Sequence, residues 1–137
     1  MTAWAREHLP TRAVVAPPPY MNHALTAFRW SARRSIVATW KDGSEGSFNV
    51  AYAAELTERI LALSGRSDLT IRNVSNVRRA APDTVLAGYA ETDAPRFRSL
   101  ARRFVATHAI VESTARQPHL PLLYADKYFR LYEIASQ

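Results

Sequence analysis

Cysteine is absent from the sequence, which excludes a disulfide scaffold, a thiolate metal site and a cysteine nucleophile. Only four glycines occur, so a Gly-rich loop of the kind that holds nucleotide phosphates is not present. No apolar run approaches the ~18–20 residues that a membrane span requires, and the first residues show no apolar segment typical of secretory signals. These absences predict a soluble, cytoplasmic protein with no membrane contact and no cofactor.

The chain length of 137 residues fits one domain, since domains usually contain ~100–200 residues. Hydrophobic residues make up 47% and charged residues 22%, which is the balance of a globular protein rather than a disordered segment. Four of the prolines lie within residues 10–19 and predict an extended, polyproline-like segment there. We therefore expect an N-terminal arm over 1–19 and a single domain over 20–137.

Acidic side chains are few beside the arginines, and the formal net charge is +6. Lysine occurs only at Lys41 and Lys127, so 16 of the 18 basic residues are arginine. Segments 24–41 and 94–111 contain four basic residues each and no acidic one, whereas 42–58 contains four acidic residues. Such segregation predicts a surface with a basic side and an acidic side.

Alternation of apolar and polar residues and runs of β-branched and aromatic residues predict six β-strands. They lie over residues 26–31, 35–41, 46–50, 69–74, 84–91 and 124–134. The second and third form a hairpin around Asp42-Gly43, a dipeptide that favours tight turns. In the first and last segments the apolar residues also recur at helical spacing, which leaves a helix as the alternative for each.

Apolar residues that recur every three or four positions predict two helices. The first spans 51–64, with Asn49 as its N-cap and Gly65 at its C-terminal end. The second begins at Asp93 and carries an apolar stripe as far as Val111. The element order β-β-β-α-β-β-α-β predicts an α+β domain, with a mainly antiparallel sheet and two helices packed on one face.

Residues with catalytic chemistry form no recognisable motif, and a nucleophile turn of the Gly-x-Ser-x-Gly type is absent. Among the four histidines, His108 has a carboxylate at helical spacing in Glu112, but a metal site needs three or four ligands. His108 lies on the apolar stripe of the second helix, which favours a buried, hydrogen-bonded histidine. We predict no catalytic residue and no metal site.

Arginine placement supplies the candidate functional surface. On a helical wheel, the arginines of the second helix border both flanks of its apolar stripe, where guanidinium groups can bind phosphate or carboxylate bidentately. A second group interleaves with Phe28 and Trp30, as in single-strand binders that combine base-stacking aromatics with a basic track; the alternative places both aromatics in the core. The candidate partner-binding residues are Arg96, Arg98, Arg102, Arg103, Arg29, Arg33 and Arg34.

These features favour a small non-enzymatic binding protein whose arginine-rich surface contacts nucleic acid or a nucleoprotein complex. One alternative is an inhibitor or adaptor of the phage or mobile-element type, of the kind that includes anti-CRISPR proteins, which binds an acidic surface of a host or defence protein complex. Another alternative is a small metal-independent enzyme. A homo-oligomer is compatible with the first two hypotheses.

Overall fold

The computed structural model describes residues 1–19, 27–39, 42, 49–65 and 82–134. Its helices are α1 (Thr2–His8), α2 (Phe28–Ala32), α3 (Val50–Ser64), α4 (Pro82–Ala90) and α5 (Ala94–Phe104). Its strands are β1 (Val14–Ala16), β2 (Ser35–Ile36), β3 (His108–Glu112), β4 (Leu122–Ala125) and β5 (Phe129–Glu133). The predicted α+β class is confirmed. None of the helices described is long and apolar enough to cross a membrane.

The five strands form one mixed sheet in the order β2-β1-β3-β5-β4. Strand β1 pairs in parallel with both β2 and β3, whereas β5 pairs antiparallel with β3 and β4. Strands β1, β2 and β3 therefore all begin at one edge of the sheet, at Val14, Ser35 and His108. Strand β5 ends at this edge, where Glu133 is the partner of His108. We call this side of the molecule the start edge.

Helices cover both faces of the sheet. Helices α3, α4 and α5 pack on one face, in a cluster that includes Leu63, Tyr89, Phe97 and Ala109. Helices α1 and α2 cover the other face, in a cluster that includes Ala5, Phe28, Val15, Ile110 and Leu131. Adjacent residues of β3 thus point to opposite faces, as the strand pleat requires. The residues predicted as an N-terminal arm contribute α1 and the strand β1, which lies between β2 and β3.

Local capping explains where two of the helices begin and end. The side chain of Asn49 accepts a hydrogen bond from the backbone N–H of Tyr52 at 3.1 Å, and Gly65 ends α3 in the left-handed conformation with φ of 64°. Asp93 caps α5 by accepting from the backbone N–H of Arg96 at 3.1 Å. The predicted helix over 51–64 and both predicted N-caps are confirmed.

The prediction that the second helix continues to Val111 is wrong. Helix α5 ends at Phe104, Val105 adopts the left-handed conformation with φ of 56°, and residues 108–112 form β3. All six residues from Ala106 to Val111 are buried, and four of them are apolar, because β3 is a central strand covered on both faces. The sequence of a strand buried on both faces fits the spacing of a helical apolar stripe as well as it fits a strand pattern.

Two predicted strands are helices in the structure. Residues 28–32 form α2, the alternative that the sequence left open, and residues 82–90 form α4 rather than a strand over 84–91. Val85 and Tyr89 are both buried, one helical turn apart, so the core selects the helical period there. The strand predicted at 46–50 is wrong at Val50, which begins α3. The strand predicted at 69–74, and most of the hairpin turn, lie outside the described residues.

The final predicted strand, over 124–134, is two strands in the structure. Strands β4 and β5 pair antiparallel across a turn in which the Asp126 carboxylate accepts hydrogen bonds from the N–H groups of Tyr128 and Phe129, at 2.8 and 2.9 Å. The helical alternative for this segment is wrong. An aspartate that satisfies two turn amides favours the chain reversal over either continuous element.

Candidate nucleic-acid interface

The seven arginines predicted to bind a partner occupy three different environments. Arg34 and Arg96 bind backbone carbonyl groups inside the molecule. Arg29 and Arg103 form ion pairs at the surface. Arg33, Arg98 and Arg102 are exposed and have no side-chain partner among the described residues.

Arg34 connects the C-terminal ends of two helices. Its side chain is buried, with 7% of the residue exposed, and Nε donates to the carbonyl of Leu9 at 3.1 Å. One terminal nitrogen donates to the carbonyls of Ala32 and Arg33 at 3.1 and 3.0 Å, and the other donates to the carbonyl of Arg6 at 2.9 Å. All three guanidinium nitrogens therefore satisfy carbonyls that the ends of α1 and α2 leave without a helical partner. Arg34 supports the fold at the start edge.

Arg96 has the same role on the other face of the sheet. Its Nη1 donates to the carbonyl of Gly88 at 3.0 Å, and Nη2 donates to the carbonyls of Leu63 and Ala62 at 2.8 and 3.3 Å. These carbonyls belong to the last turns of α4 and α3. A Cβ atom on Gly65 would lie 1.7 Å from Cζ of Arg96, so the guanidinium occupies the space that this glycine leaves open. Both arginines are poor candidates for direct partner contacts, since their donors are already used.

The two ion-paired arginines remain accessible to a ligand. Arg29 pairs with the Asp42 carboxylate through two contacts of 3.1 and 3.3 Å. Arg103 pairs with Glu58 and donates from Nε at 3.1 Å. The Arg103–Glu58 pair is exposed, and such pairs contribute about 0–1 kcal/mol, so an anionic ligand can replace Glu58 at little cost. The Asp42 side chain is mostly buried and also accepts from the backbone N–H of Thr39 at 2.8 Å, a bond that would remain if an anion took its place on Arg29.

The exposed arginines of the predicted set that have no partner among the described residues lie around the start edge. Arg33 directly follows α2 and precedes β2, whereas Arg102 lies in the last turn of α5, which leads into β3. Arg98 is one turn earlier on α5, on the same side of the helix. Arg12 is also exposed, without a partner in the described part of the chain, and precedes β1. We call Arg12, Arg33, Arg98 and Arg102 the arginine edge.

The sheet topology explains why these arginines are close together. Neighbouring strands lie ~4.8 Å apart, so the three parallel strands begin within ~10 Å of one another. Helix α2 packs on one face of the sheet and α5 packs on the other, and both end at the start edge. The arginine edge therefore surrounds the beginning of β1 from both sides. Sequence reasoning did not select Arg12 because residues 1–19 were expected to form an arm outside the sheet.

Aromatic residues beside Arg29 separate into one core and one surface residue. Phe28 is fully buried, whereas Trp30 has 82% of its surface exposed. The alternative that placed both in the core is wrong for Trp30, because residues two positions apart in a helix lie on opposite sides, whereas in a strand they share a face. Trp30 precedes Arg33, the residue that ends α2, by three positions, the spacing of neighbours on a helix surface. An exposed indole thus adjoins the arginine edge.

Among the described residues, two clefts open at the start edge. The first has a volume of about 410 Å³, and its described lining residues, none of them acidic, are Thr11, Arg29, Arg33, Arg34, Ser35 and Ile36. The second, of about 440 Å³, lies between α1 and the sheet. Pro10 lines the second cleft and Thr11 lines the first, so the two clefts adjoin along the chain.

His108 lines the second cleft from the first position of β3. It is buried, with 6% exposed, and its Nδ1 lies 2.7 Å from the hydroxyl of Thr107. Burial lowers the pKa of His108, and the negative charge of Glu133 opposes this effect. The prediction of a buried, hydrogen-bonded histidine is confirmed, although it lies on a strand. Within the described ranges, no group of three or more His, Asp or Glu residues is placed to hold a metal ion.

Comparison with known proteins gives one match. The model of a family described as a domain of unknown function (DUF6798) matches residues 1–58, less than half of the chain. This segment contains α1, β1, α2, β2 and the first turns of α3, and with them Arg12, Arg33 and Trp30. No curated protein and no solved structure matches the chain.

Proposed function

We propose that this protein is a small non-enzymatic protein that binds single-stranded nucleic acid through the arginine edge. The observation that carries the proposal is the position of Arg12, Arg33 and Arg102. Each is exposed, none has an acidic partner among the described residues, and each precedes one of three adjacent parallel strands. Each unpaired guanidinium group at the beginning of these neighbouring strands can bind one phosphate of a nucleic-acid strand that runs along the start edge.

The first cleft supports the same function. Arg33 and Arg29 line it together with the hydroxyl-bearing side chains of Thr11 and Ser35. Hydroxyl and guanidinium groups are the common protein ligands of phosphate oxygens. The Asp42 carboxylate, which pairs with Arg29, is the group that a phosphate would replace.

Trp30 favours a single strand over a duplex. Bases of an unpaired strand can stack on an exposed indole, and base–aromatic stacking contributes about 1–3 kcal/mol per base. In a duplex the base faces are covered by their neighbours, so an exposed indole beside arginines would have no base to contact. A single strand uses both features of this surface.

The test is a pair of double charge reversals with equal effects on net charge. Arg33→Glu/Arg102→Glu changes the arginine edge. Arg116→Glu/Lys127→Glu changes two exposed cations in turns at the opposite edge of the sheet, after β3 and before β5. Binding of a fluorescein-labelled oligothymidylate is measured by anisotropy between 50 and 200 mM salt.

We expect wild-type affinity to fall linearly on a log–log plot against salt. The slope should decrease by about 0.7 for each phosphate contact that the edge variant loses. The control variant should retain most of the affinity. Equal losses in both variants would show that binding follows net charge alone, and no wild-type binding at 50 mM salt would refute the proposed function.

A further inference from the structure

We propose that the second cleft is a base-binding site selective for guanine, adjoining the phosphate-binding surface. This inference rests on the proposed function, because it assumes that a nucleic-acid strand reaches the start edge. The cleft lies between the end of α1 and the ends of β3 and β5. The residues that give it chemical character are Trp4, His8, Thr107, His108 and Glu133.

Glu133 is the acceptor that defines the ligand. It is half-buried, and its carboxylate forms no hydrogen bond or ion pair with any residue in the described ranges, where its backbone N–H donates to Pro121. His108 is its direct cross-strand partner in the β3–β5 register, so both side chains point to the same face. The carboxylate lines the open cleft as an acceptor without a partner among the described residues. A ligand in the cleft with N–H groups can donate to it.

The imidazole of His8 adds an aromatic wall. Its ring stacks on the indole of Trp4, with centroids 4.6 Å apart and planes within 5° of parallel. Nδ1 of His8 donates to the carbonyl oxygen of Trp4 at 2.9 Å, since a carbonyl can only accept, and this bond fixes the ring in place. His8 is exposed, so its second ring face is open to a stacking base.

Guanine is the base that fits this set of groups. Its Watson–Crick edge presents two adjacent donors, N1–H and the 2-amino group, and a carboxylate can accept both at once. Adenine presents an acceptor beside its amino group, which a carboxylate would repel. Proteins that recognise single strands commonly stack a splayed base on an aromatic or histidine ring and bind its Watson–Crick edge.

The position of the cleft is consistent with a strand that runs along the start edge. Pro10 and Thr11 are consecutive, and they line the base cleft and the arginine-lined cleft respectively. A phosphate held by Arg33 and a base held beside Glu133 would lie about three strand spacings, ~14 Å, apart, within reach of one strand a few nucleotides long.

The experiment compares thymidine heptanucleotides in which the central base is guanine, hypoxanthine or adenine. Hypoxanthine keeps N1–H and lacks the 2-amino group. We expect wild-type protein to prefer guanine over adenine by about fivefold or more, the lower range for a bidentate side-chain–base pair, with hypoxanthine between them. Glu133→Gln should reduce this preference to less than about twofold, because the amide has one acceptor oxygen in place of the two that receive the guanine donors. Glu112→Gln, a half-buried glutamate at the other end of β3, is the control and should keep the preference.

Equal wild-type affinity for guanine and adenine, or an unchanged preference in Glu133→Gln, would overturn the base site and leave the proposed function intact. A second measurement separates the reverse case. Titration with guanosine 5′-monophosphate should shift the imidazole NMR signals of His8 and His108, whereas adenosine 5′-monophosphate should not. Shifts without any oligonucleotide binding would support the base site and refute the proposed function, and absence of shifts would overturn the base site.

Discussion

Replacement of Arg96 by methionine tests whether this arginine stabilises the fold or binds the partner. Methionine keeps an unbranched apolar stem of similar length and removes the guanidinium. Three hydrogen bonds are lost, to the carbonyls of Ala62, Leu63 and Gly88. A hydrogen bond that involves a charged group contributes about 1.5–3 kcal/mol. The contributions do not add, because one half-buried guanidinium forms all three bonds, so we expect a loss of about 2–4 kcal/mol in the free energy of unfolding.

The measurement is urea unfolding followed by far-UV circular dichroism, from which the midpoint and slope give the unfolding free energy. Arg98→Met is the matched control, since Arg98 is exposed on the same helix and should change stability by less than about 0.5 kcal/mol. Nucleic-acid binding of the folded Arg96→Met protein should equal that of the wild type. A loss no larger than that of Arg98→Met, or a folded variant that binds weakly, would refute the assignment of Arg96 to the fold.

Three more predictions follow from burial and backbone geometry. Phe97→Ala should lower the free energy of unfolding by about 3–5 kcal/mol, because Phe97 is fully buried and packs edge-on against Tyr89. Phe104→Ala should lower it by less, since Phe104 is half-buried, and urea unfolding of both variants measures the difference. Burial lowers the pKa of His108 in the folded state, so the unfolded chain binds more protons as the pH falls. The unfolding free energy of the wild type should therefore fall relative to that of His108→Gln between about pH 7 and pH 5, and an equal pH dependence of the two would contradict this. Gly65→Ala should destabilise by at least about 1 kcal/mol, because alanine is strained at φ of 64° and its Cβ would displace the guanidinium beneath it, and a double-mutant cycle with Arg96→Met should show less than additive losses.

The elements that the sequence predicted well are those set by local chemistry. Asn49, Gly65 and Asp93 each act within four residues of themselves, by capping or by adopting a positive φ. Their side chains and backbone preferences determine the helix ends almost independently of the rest of the chain. The helix over 51–64 and the start of α5 could therefore be placed from the sequence alone.

The elements that the sequence misplaced are those set by the sheet. Strand β3 is central, so its residues are apolar on both faces and imitate a continuing helix. Strand β1 has three residues, and its position between β2 and β3 depends on pairings with residues about 20 and 90 positions away. No pattern within a window of ten residues contains that information. For the same reason the sequence predicted a strand where residues 82–90 form a helix. Only the contacts of Val85 and Tyr89 with the core show that the apolar residues there follow the helical period.

The sequence predicted that the candidate surface contains arginines, but it did not predict which arginines belong to it. The absence of acids in two segments predicted arginines without local partners, and Arg29 departs from this because it pairs with Asp42, just beyond the first segment. Whether an arginine binds a partner or a backbone carbonyl depends on groups far away in sequence. The guanidinium of Arg34 binds Leu9, 25 residues earlier, and that of Arg96 binds Leu63, 33 residues earlier. Glu133 escaped notice for the same reason, because only the β3–β5 register places it beside His108.

Helix C-terminal ends give the arginines of this protein two distinct uses. Each end presents carbonyl groups without helical partners and a partial negative charge, so it attracts a cation. Where two ends meet inside the fold, as α1 meets α2 and α3 meets α4, one buried guanidinium satisfies both. Where α2 and α5 end at the start edge, Arg33 and Arg102 also lie at helix C-terminal ends, but their guanidinium groups are exposed to solvent. An arginine-rich chain with almost no lysine thus places unpaired bidentate donors at one edge of its sheet, and a phosphate is the ligand that such donors bind most readily.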